Sequence, residues 1–319
     1  MTFTPPKKEW KGKIRKVKIG ATPEEGGTRG RTLMVGGESA LPFHHFEGEI
    51  PLPPALALEV SDRYPEDWAE SLRGALPEVI GDPGAWATWA EKEIGVDLIF
   101  LKLDSTHPEK GGRSAEEAAE TVRAVLRATS LPLAIAAPGA SFERDNEVLN
   151  ICGEAAEGEG ALMVMAETEN YKSLVATCMA YGHSLVAMTP IDINMAKQLN
   201  ILLTQMAFPP ERIVMDPMTG ALGYGLEYTY SVMERIRLRA LTGDEMLQMP
   251  MLCNVGGESW KVKEAKAAGE EGEAQGVLWE VTTATNLLLS GADILVLRHP
   301  KSVAALRKTI EELMQAEAA

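Results

Sequence analysis

Eight short apolar runs, each followed by a stretch with helical periodicity, constrain the fold of this chain more than any other feature. The runs are ALALEV (55–60), VDLIFLKL (96–103), LPLAIA (131–136), ALMVMA (161–166), SLVAM (184–188), RIVM (212–215), MPMLC (249–253) and ADILVLR (292–298). Each is too short for a helix and continuous rather than alternating, which is typical of parallel strands covered on both faces. Eight β-then-α units predict an α/β fold, the TIM (β/α)8 barrel, which takes about 250 residues.

An open doubly wound sheet is the alternative arrangement of such units. That fold more often carries a G-x-G-x-x-G phosphate loop after its first strand, and no such motif follows the run at 55–60. We therefore expect the barrel, and we place it at residues 51–319. In residues 1–50, strand-like pieces at 14–19 and 32–35 predict an N-terminal hairpin extension and a connector.

A basic strip, KKEWKGKIRKVK at 7–18, lies in this N-terminal segment. It has two interpretations. It is either a docking site for an anion or a partner, or the charged outer face of an edge strand. In the second case Val17 and Ile19 turn inward, while Lys16 and Lys18 face solvent.

Charge and composition argue against two classes of function. The formal net charge is −15, which repels a polyanion, so we expect no nucleic-acid partner. No run approaches the ~18 consecutive apolar residues of a membrane helix, and the opening MTFTPPKKEW lacks the apolar segment of a secretory signal. We expect a cytoplasmic protein with no membrane partner. Cys152, Cys178 and Cys253 lack C-x-x-C spacing, which favours buried thiols over a disulfide framework or a metal cluster.

Polar residues ahead of the helical stretches predict where four helices begin. Ser114 with Glu117 has the spacing of a capping box, in which each side chain bonds to the other's backbone N–H. Asp145, Asp192 and Ser302 each precede an apolar stretch with three- and four-residue steps, and we predict that they cap the helices there.

The polar residues that follow the apolar runs are the candidates for a functional site, because ligands of a TIM barrel lie over the carboxyl ends of the strands. These residues are Asp104, Ser105, Thr106, Pro138, Gly139, Ser141, Glu167, Thr168, Asn170, Thr189, Asp192, Asn194, Asp216, Thr219, Gly220, Asn254, Gly256, Gly257, Arg298 and His299. The set is rich in hydroxyls and amides and has few acid–base pairs. It favours the binding of a large polar ligand over the transformation of a small one.

Several of these residues have two interpretations that the sequence leaves open. Asp104 and Asp216 could bind a metal or act as bases, or could tie down loop amides. Lys102 could form a Schiff base, as in a class I aldolase, or could belong to a buried charge layer paired with Glu59. His299, next to a proline, could be a metal ligand or acid–base group, or a cap at the start of a helix.

Three longer motifs carry a family resemblance that covers essentially the whole chain. GGESALPFHHFEG (36–48), LKLDSTHPE (101–109) and MDPMTGALGYGLEYTYSVMERIR (215–237), together with the eight-unit layout, resemble the small subunit of the corrinoid iron–sulfur protein. That subunit, from the anaerobic acetyl-CoA pathway, is also called the delta subunit of the acetyl-CoA decarbonylase/synthase complex.

The resemblance implies a heterodimer in which this chain is a methyl-carrier subunit without catalytic residues or metal ligands of its own. The large partner subunit would carry the iron–sulfur cluster and hold a cobamide that this barrel covers. The cobalt of the cobamide would take a methyl group from a methyltetrahydrofolate methyltransferase and pass it to acetyl-CoA synthase. The chain lacks a cluster-binding cysteine set and the D-x-H-x-x-G corrinoid motif, in agreement with this division.

Position on the barrel, rather than any matched family residue, selects the predicted cobamide contacts. These are Asp104, Thr106, Asn170, Thr189, Asp216, Thr219, Gly220 and Asn254. The loop from Asp216 to Gly225 would hold the macrocycle without reacting. The alternatives are a pterin-dependent methyltransferase on a similar barrel, with Asp104, Asn254 and Asp216 as pterin ligands, and the aldolase that would use Lys102.

Overall fold

The computed structural model describes residues 7–315 as ten β-strands and ten α-helices. The strands are β1 (Val17–Ile19), β2 (Leu33–Val35), β3 (Ala55–Ser61), β4 (Leu98–Lys102), β5 (Leu133–Ala136), β6 (Leu162–Ala166), β7 (Ser184–Met188), β8 (Ile213–Asp216), β9 (Leu252–Asn254) and β10 (Ile294–Leu297). The helices are α1 (Glu70–Ala75), α2 (Pro83–Trp89), α3 (Ala115–Ala128), α4 (Phe142–Ala155), α5 (Tyr171–Tyr181), α6 (Ile193–Gln205), α7 (Leu226–Leu241), α8 (Val255–Ser259), α9 (Gly269–Leu289) and α10 (Pro300–Gln315).

Strands β3 to β10 form one parallel sheet in the order β8-β7-β6-β5-β4-β3-β10-β9. The two ends of this order meet, because Met215 in β8 bridges to Met251 beside β9 and its backbone N–H donates to the Pro250 carbonyl at 2.8 Å. Each of the eight apolar runs overlaps one of these strands, and no strand extends more than one residue beyond its run. The predicted TIM barrel is confirmed, with structural helices between successive strands.

Alternate residues of the strands fill the interior of the barrel. The buried interior cluster includes Ala55 and Ala57 of β3, Ala134 and Ala136 of β5, Leu98 and Phe100 of β4, and Val164, Val186, Val214, Leu252, Ile294 and Val296. The intervening residues, such as Ile99 and Leu101, belong to a second cluster formed with the surrounding helices. Both faces of the sheet are therefore apolar, and for this reason the runs do not alternate in sequence.

The N-terminal hairpin closes the bottom of the barrel. β1 and β2 pair in antiparallel register, as predicted, and Val17, Ile19 and Val35 join the interior cluster. The Gly20 N–H donates to the Gly160 carbonyl, just before β6, at 2.7 Å, which places the hairpin at the amino ends of the barrel strands. Lys16 and Lys18 are exposed, so the basic strip contains the charged outer face of an edge strand.

Two of the predicted helix starts are confirmed. Ser114 and Glu117 form the capping box of α3, with side chain to backbone distances of 3.2 and 2.9 Å. The Asp192 carboxylate caps α6 by accepting from the N–H groups of Asn194 and Met195.

The other two predicted starts are wrong by a few residues. Helix α4 is capped by Ser141, because the helix begins four residues earlier than predicted, and Asp145 instead accepts from two loop amides. Helix α10 begins at Pro300, a residue suited to a first helical turn. His299 provides the cap, since its Nδ1 accepts from the Lys301 N–H at 3.0 Å, and Ser302 is buried within the helix.

The three cysteines are buried, as predicted. Burial raises the pKa of Cys152 and of Cys178 to about 12, and it raises the pKa of Cys253 well above its usual range. Within residues 7–315, no helix has the length and apolar composition that crossing a bilayer requires.

A buried ionic cluster joins the N-terminal segment to the bottom of the barrel. The Arg237 guanidinium of α7 lies 2.9 Å from Asp293 and 3.5 Å from Glu38. The Glu38 carbonyl also accepts from the Ile14 N–H at 2.8 Å. Burial, followed by the charge of Asp293, raises the pKa of Glu38 to about 8, although Arg237 opposes that rise.

Glu38→Gln should remove one component of the pH dependence of stability. Because the folded-state pKa of Glu38 is raised from 4.5 to about 8, its contribution is fully present at low pH and is lost as pH rises through about 8. The loss should not exceed about 1.4 kcal/mol per pH unit. Urea unfolding between about pH 5 and about pH 9 measures the slope. The unfolding free energy of Glu38→Gln should depend less steeply on pH than that of wild type. The exposed control Glu109→Gln should have the wild-type slope. Equal slopes in all three proteins would contradict the assignment.

Candidate functional site

A cavity of about 710 Å³ opens inside the mouth of the barrel, at the carboxyl ends of the strands. Its floor is apolar and includes Phe100, Ala136, Val164 and Leu252. The small side chain of Ala136 in β5 lines this cavity, and a larger side chain at that position would fill part of the space. The sequence prediction that the site lies over the strand ends is consistent with this position.

A polar layer surrounds the cavity above that floor. It comprises the next inward-facing residues of five strands or strand ends, namely Glu59, Lys102, Asp216, Asn254 and Arg298. Each follows an apolar interior residue two positions earlier, since the side chains of a strand alternate between its two faces. The same strands thus carry an apolar filling below and hydrogen-bonding groups above.

The structure brings together five of the eight predicted contact residues. Asp104, Asn170, Asp216, Thr219 and Asn254 line the cavity. The Thr219 hydroxyl is buried and has no hydrogen-bond partner within residues 7–315, so its hydrogen-bonding capacity is unused there. Asn254 uses its amide oxygen to cap α8 through the Gly257 N–H at 3.1 Å, and its amide nitrogen remains as a donor.

The remaining three predicted contact residues lie outside the cavity lining. The Thr106 hydroxyl donates to the Leu103 carbonyl at 2.7 Å, and the Thr189 N–H donates to the Asp216 carbonyl at 3.1 Å. The Gly220 N–H donates to the Thr229 hydroxyl at 2.9 Å. All three are buried and serve local turns, while a cobamide contact at any of the eight residues stays a prediction.

Glu59 pairs with Arg298, so the predicted Glu59–Lys102 pair is wrong. The Arg298 guanidinium donates two hydrogen bonds to Glu59, at 2.9 and 3.0 Å, and lies 4.3 Å above the Trp68 ring. Glu59 has neighbours on both sides, because β3 lies between β4 and β10. The planar guanidinium offers the two-point geometry that a lysine lacks. Lys102 instead donates to the Ala137 carbonyl, and its Schiff-base role stays a prediction.

His299 lies behind the cavity wall and acts as a helix cap. Its ring stacks on Trp260, with 5.6 Å between the ring centroids. Burial lowers the pKa of His299 to about 4, so the ring is neutral near pH 7. The buried Glu280 carboxylate accepts from the backbone N–H of Arg298 at 2.7 Å and so helps to position the end of β10. Burial raises the pKa of Glu280 to about 6.

Two carboxylates that line the opposite wall have raised pKa values. Burial, followed by the charge of Glu167, raises the pKa of Asp216 to about 7, although the Met218 N–H donates to it at 2.8 Å. Burial and the neighbouring Glu169 and Asp145 raise the pKa of Glu167. This wall can therefore both accept and donate hydrogen bonds near neutral pH.

The glycines of the loop after β8 are required by the tight backbone turn that the loop makes. Gly223 and Gly225 adopt positive φ angles of 84° and 136°, which favour glycine. A Cβ on Gly220 would lie 2.9 Å from the Gly225 carbonyl oxygen. The loop turns its large side chains outward beside the cavity, where Met218 is 42% exposed and Tyr224 is 80% exposed.

Some cavity residues escaped prediction because long loops bring them in. Asp67 and Trp68 line the cavity and follow β3, a strand end with no predicted site residue. Both belong to the segment SDRYPEDW, which stands directly after the first apolar run. Lys110 arrives from the loop after β4 and lies 2.7 Å from Asp67 and 3.5 Å from Asp104. The position of SDRYPEDW after a strand could have predicted its place at the cavity, whereas no local sequence pattern predicts that Lys110 reaches it.

A family model and curated relatives match the chain along nearly its whole length. The model for the CO dehydrogenase/acetyl-CoA synthase delta subunit matches residues 16–312. The chain is 38% identical to subunit delta 1 of the acetyl-CoA decarbonylase/synthase complex of Methanosarcina thermophila, over 96% of this chain and 72% of that protein. It is also 38% identical to subunit delta of the same complex from Archaeoglobus fulgidus, over 98% of this chain and 71% of that protein.

Solved structures with a similar fold are dihydropteroate synthases. The enzyme of Xanthomonas albilineans with 4-aminobenzoic acid superposes with a TM-score of 0.57 over 91% of this chain and 97% of that one, at 16% identity. The Yersinia pestis enzyme in a sulfonamide drug complex gives 0.58 over 85% of this chain and 97% of that one, at 13% identity. At such identities the likeness concerns the barrel alone.

The pKa of Asp216 can be measured directly. A ¹³C NMR titration of its carboxyl carbon, assigned with Asp216→Asn, should have a midpoint near 7. Glu167→Gln should lower that midpoint because it removes a neighbouring negative charge. Glu143→Gln, an exposed change at the start of α4, should leave it where it is. A wild-type midpoint in the usual range of an exposed aspartate would show that the carboxylate is not buried as described.

Proposed function

Because the chain belongs to the CO dehydrogenase/acetyl-CoA synthase delta subunit family, we propose that its barrel mouth covers a cobamide held by a second subunit. In this proposal the pair carries a methyl group from a methyltetrahydrofolate methyltransferase to acetyl-CoA synthase in the cytoplasm. This chain corresponds to the small subunit of a corrinoid iron–sulfur protein, and the iron–sulfur cluster belongs to its partner. The chain's own role is to bind and shield.

The shape and the lining of the barrel mouth support this proposal. Its cavity of about 710 Å³ combines an apolar floor with a ring of hydrogen-bonding groups, which suits a large polar ligand lying across it. The buried Thr219 hydroxyl and the Asn254 amide nitrogen lack partners within residues 7–315. A buried polar group is normally hydrogen-bonded, so the Thr219 hydroxyl favours a ligand that completes it, and the half-buried Asn254 amide is a second free donor.

A cobamide fits this donor set through its amide side arms. Thr219, Asn254 and Asn170 would hold those arms, and the loop from Asp216 to Gly225 would cover one edge of the macrocycle. When bound, the group supplies a cobalt centre that accepts and releases a methyl group. The residues of this chain orient the macrocycle and exclude water from the face that they cover.

The outward side chains of the loop after β8 suit the partner subunit. Tyr224 of this loop and Tyr228 in the first turn of α7 are largely exposed, and Met218 of the loop lines the cavity and is 42% exposed. Large exposed apolar side chains beside a site mark surfaces where another molecule docks, and tyrosine is enriched among the residues that dominate binding energy. A partner that carries the cobamide would bury these side chains as it brings the macrocycle to the mouth.

Tyr224→Ser should weaken binding of the corrinoid-carrying subunit by at least about tenfold, which corresponds to about 1.4 kcal/mol. The variant should keep the wild-type melting temperature, since Tyr224 is 80% exposed in the isolated chain. Surface plasmon resonance with the immobilised partner subunit gives the dissociation constants. Leu278→Ser is the matched control, because this leucine is 59% exposed but lies on α9, outside the loop after β8. Equal losses in both variants would refute the assigned face.

A pterin-dependent methyltransferase is the second candidate, favoured by one observation. The cavity is lined by all three predicted pterin ligands, Asp104, Asp216 and Asn254. The proposed cap function predicts that the isolated chain shows no saturable binding of tetrahydrofolate in a calorimetric titration. Saturable binding by wild type that is lost in Asp216→Asn and in Asn254→Asp, but kept in the exposed control Asn286→Asp, would favour the methyltransferase instead.

A further inference from the structure

Two charged residues face each other across the mouth of the barrel. Lys102 ends β4 and Asp216 ends β8, and both follow residues of the barrel interior, Phe100 and Val214. In the closed order of eight strands, β4 and β8 are four strands apart in either direction. Their side chains therefore line opposite walls of one cavity.

The half-buried Lys102 ammonium lacks a counter-ion. Among the other cavity cations, Arg298 pairs with Glu59, Lys110 pairs with Asp67 and Asp104, and Lys261 pairs with Glu258, while Lys266 has no ion pair within residues 7–315 but is exposed to solvent. Lys102 makes no ion pair with any residue in 7–315, and it donates only to the Ala137 carbonyl. An ammonium has three N–H donors, so two remain for a group inside the cavity.

The opposite wall carries uncompensated negative charge. Asp216 ends β8 directly opposite β4, and Glu167 follows β6, midway between those two strands; neither carboxylate pairs with a cation in the part of the chain that the structure describes. Burial, followed by the charge of Glu167, raises the pKa of Asp216 to about 7, so Asp216 carries its full negative charge only above that pH; burial, followed by the charges of Glu169 and Asp145, raises the pKa of Glu167.

We propose that Lys102 binds an anionic oxygen group, a carboxylate or a phosphate, of the ligand that enters the mouth, and that the acidic wall opposite fixes the ligand's orientation. The inference rests on the proposed function only in taking the mouth as the ligand site. A half-buried charge without a partner is unfavourable, and an anion next to Lys102 would relieve that cost. Across the cavity the same anion would meet Asp216 and Glu167, and like charges would repel it.

The arrangement has a consequence for specificity. An anion at Lys102 gains two charge-assisted hydrogen bonds, which are stronger than neutral ones. A ligand of reversed polarity would place its anion against two carboxylates and leave Lys102 unpaired. Lys102 therefore favours ligands that carry an anionic group, and the acidic wall favours the orientation that places this group at Lys102.

The test uses the full chain, labelled with ¹³C at the lysine Cε atoms. A ¹H–¹³C correlation spectrum assigns Lys102 and Lys266 through the variants Lys102→Arg and Lys266→Arg. Inorganic phosphate and acetate are then titrated separately. Lys266 is the internal control, since it lines the same cavity but is exposed. The wild-type Lys102 resonance should shift saturably, whereas that of Lys266 should only drift with ionic strength.

Asp216→Asn provides the second arm of the test. Above the pKa of Asp216, where the carboxylate is ionised, this change removes a negative charge from the facing wall and should lower the anion's dissociation constant at Lys102 severalfold. A shift with phosphate alone identifies a phosphate group, a shift with acetate alone identifies a carboxylate, and shifts with both support anionic oxygen in general. If Lys102 drifts like Lys266 in both titrations, the inference is wrong. That outcome leaves the cap function standing, because binding of the partner subunit is measured separately.

Discussion

The filling of the barrel interior is the constraint on which the rest of this structure depends. Eight parallel strands send alternate side chains inward, and these must occupy the space at close to crystal-like density. In the lower part the alanines of β3 and β5 pack with larger side chains such as Phe100, and the N-terminal hairpin adds Val17, Ile19 and Val35 from below. Residues 7–315 thus close the bottom of the barrel with their own side chains, and the cavity opens at the top.

Charge at the mouth is arranged on the same scaffold. Arg298 and Glu59 neutralise each other on neighbouring strands, and Glu280 accepts from the backbone next to Arg298. Lys102 and Asp216, on opposite strands, are left without such partners among residues 7–315. The contrast separates groups that hold the mouth in shape from groups that remain available to a ligand. It also agrees with a subunit that binds and orients a cofactor.

The sequence predicted the fold well because the signal is local. Each strand of the barrel is a continuous apolar run, and the caps at Ser114 and Asp192 lie next to the helices that they begin. Tertiary neighbours decided the cases where prediction failed. Glu59 lies between Lys102 and Arg298 in space, and only the geometry of the guanidinium selects the second.

The candidate site was predicted in part for the same reason. Asp104, Asn170, Asp216, Thr219 and Asn254 come straight after strands, and they line the cavity. Lys110 comes from a long loop whose path no local pattern reveals. Thr106 and Thr189 also follow strands, but neither lines the cavity. The Thr106 hydroxyl and the Thr189 backbone N–H each donate to a nearby backbone carbonyl instead. Nearness to a strand end thus predicts the region of a site better than it predicts which side chains face the cavity.

The central claim is that this barrel covers a cobamide that another subunit carries. The absorption spectrum of the cobamide tests it most directly, recorded with this chain alone, with the corrinoid-carrying subunit alone, and with the two together. The account predicts that this chain alone retains no cobamide, and that adding it to the loaded partner changes the corrinoid bands as water leaves the covered face. Cobamide bound tightly by this chain alone, or a partner spectrum that is unchanged when the two subunits form a complex, would contradict it.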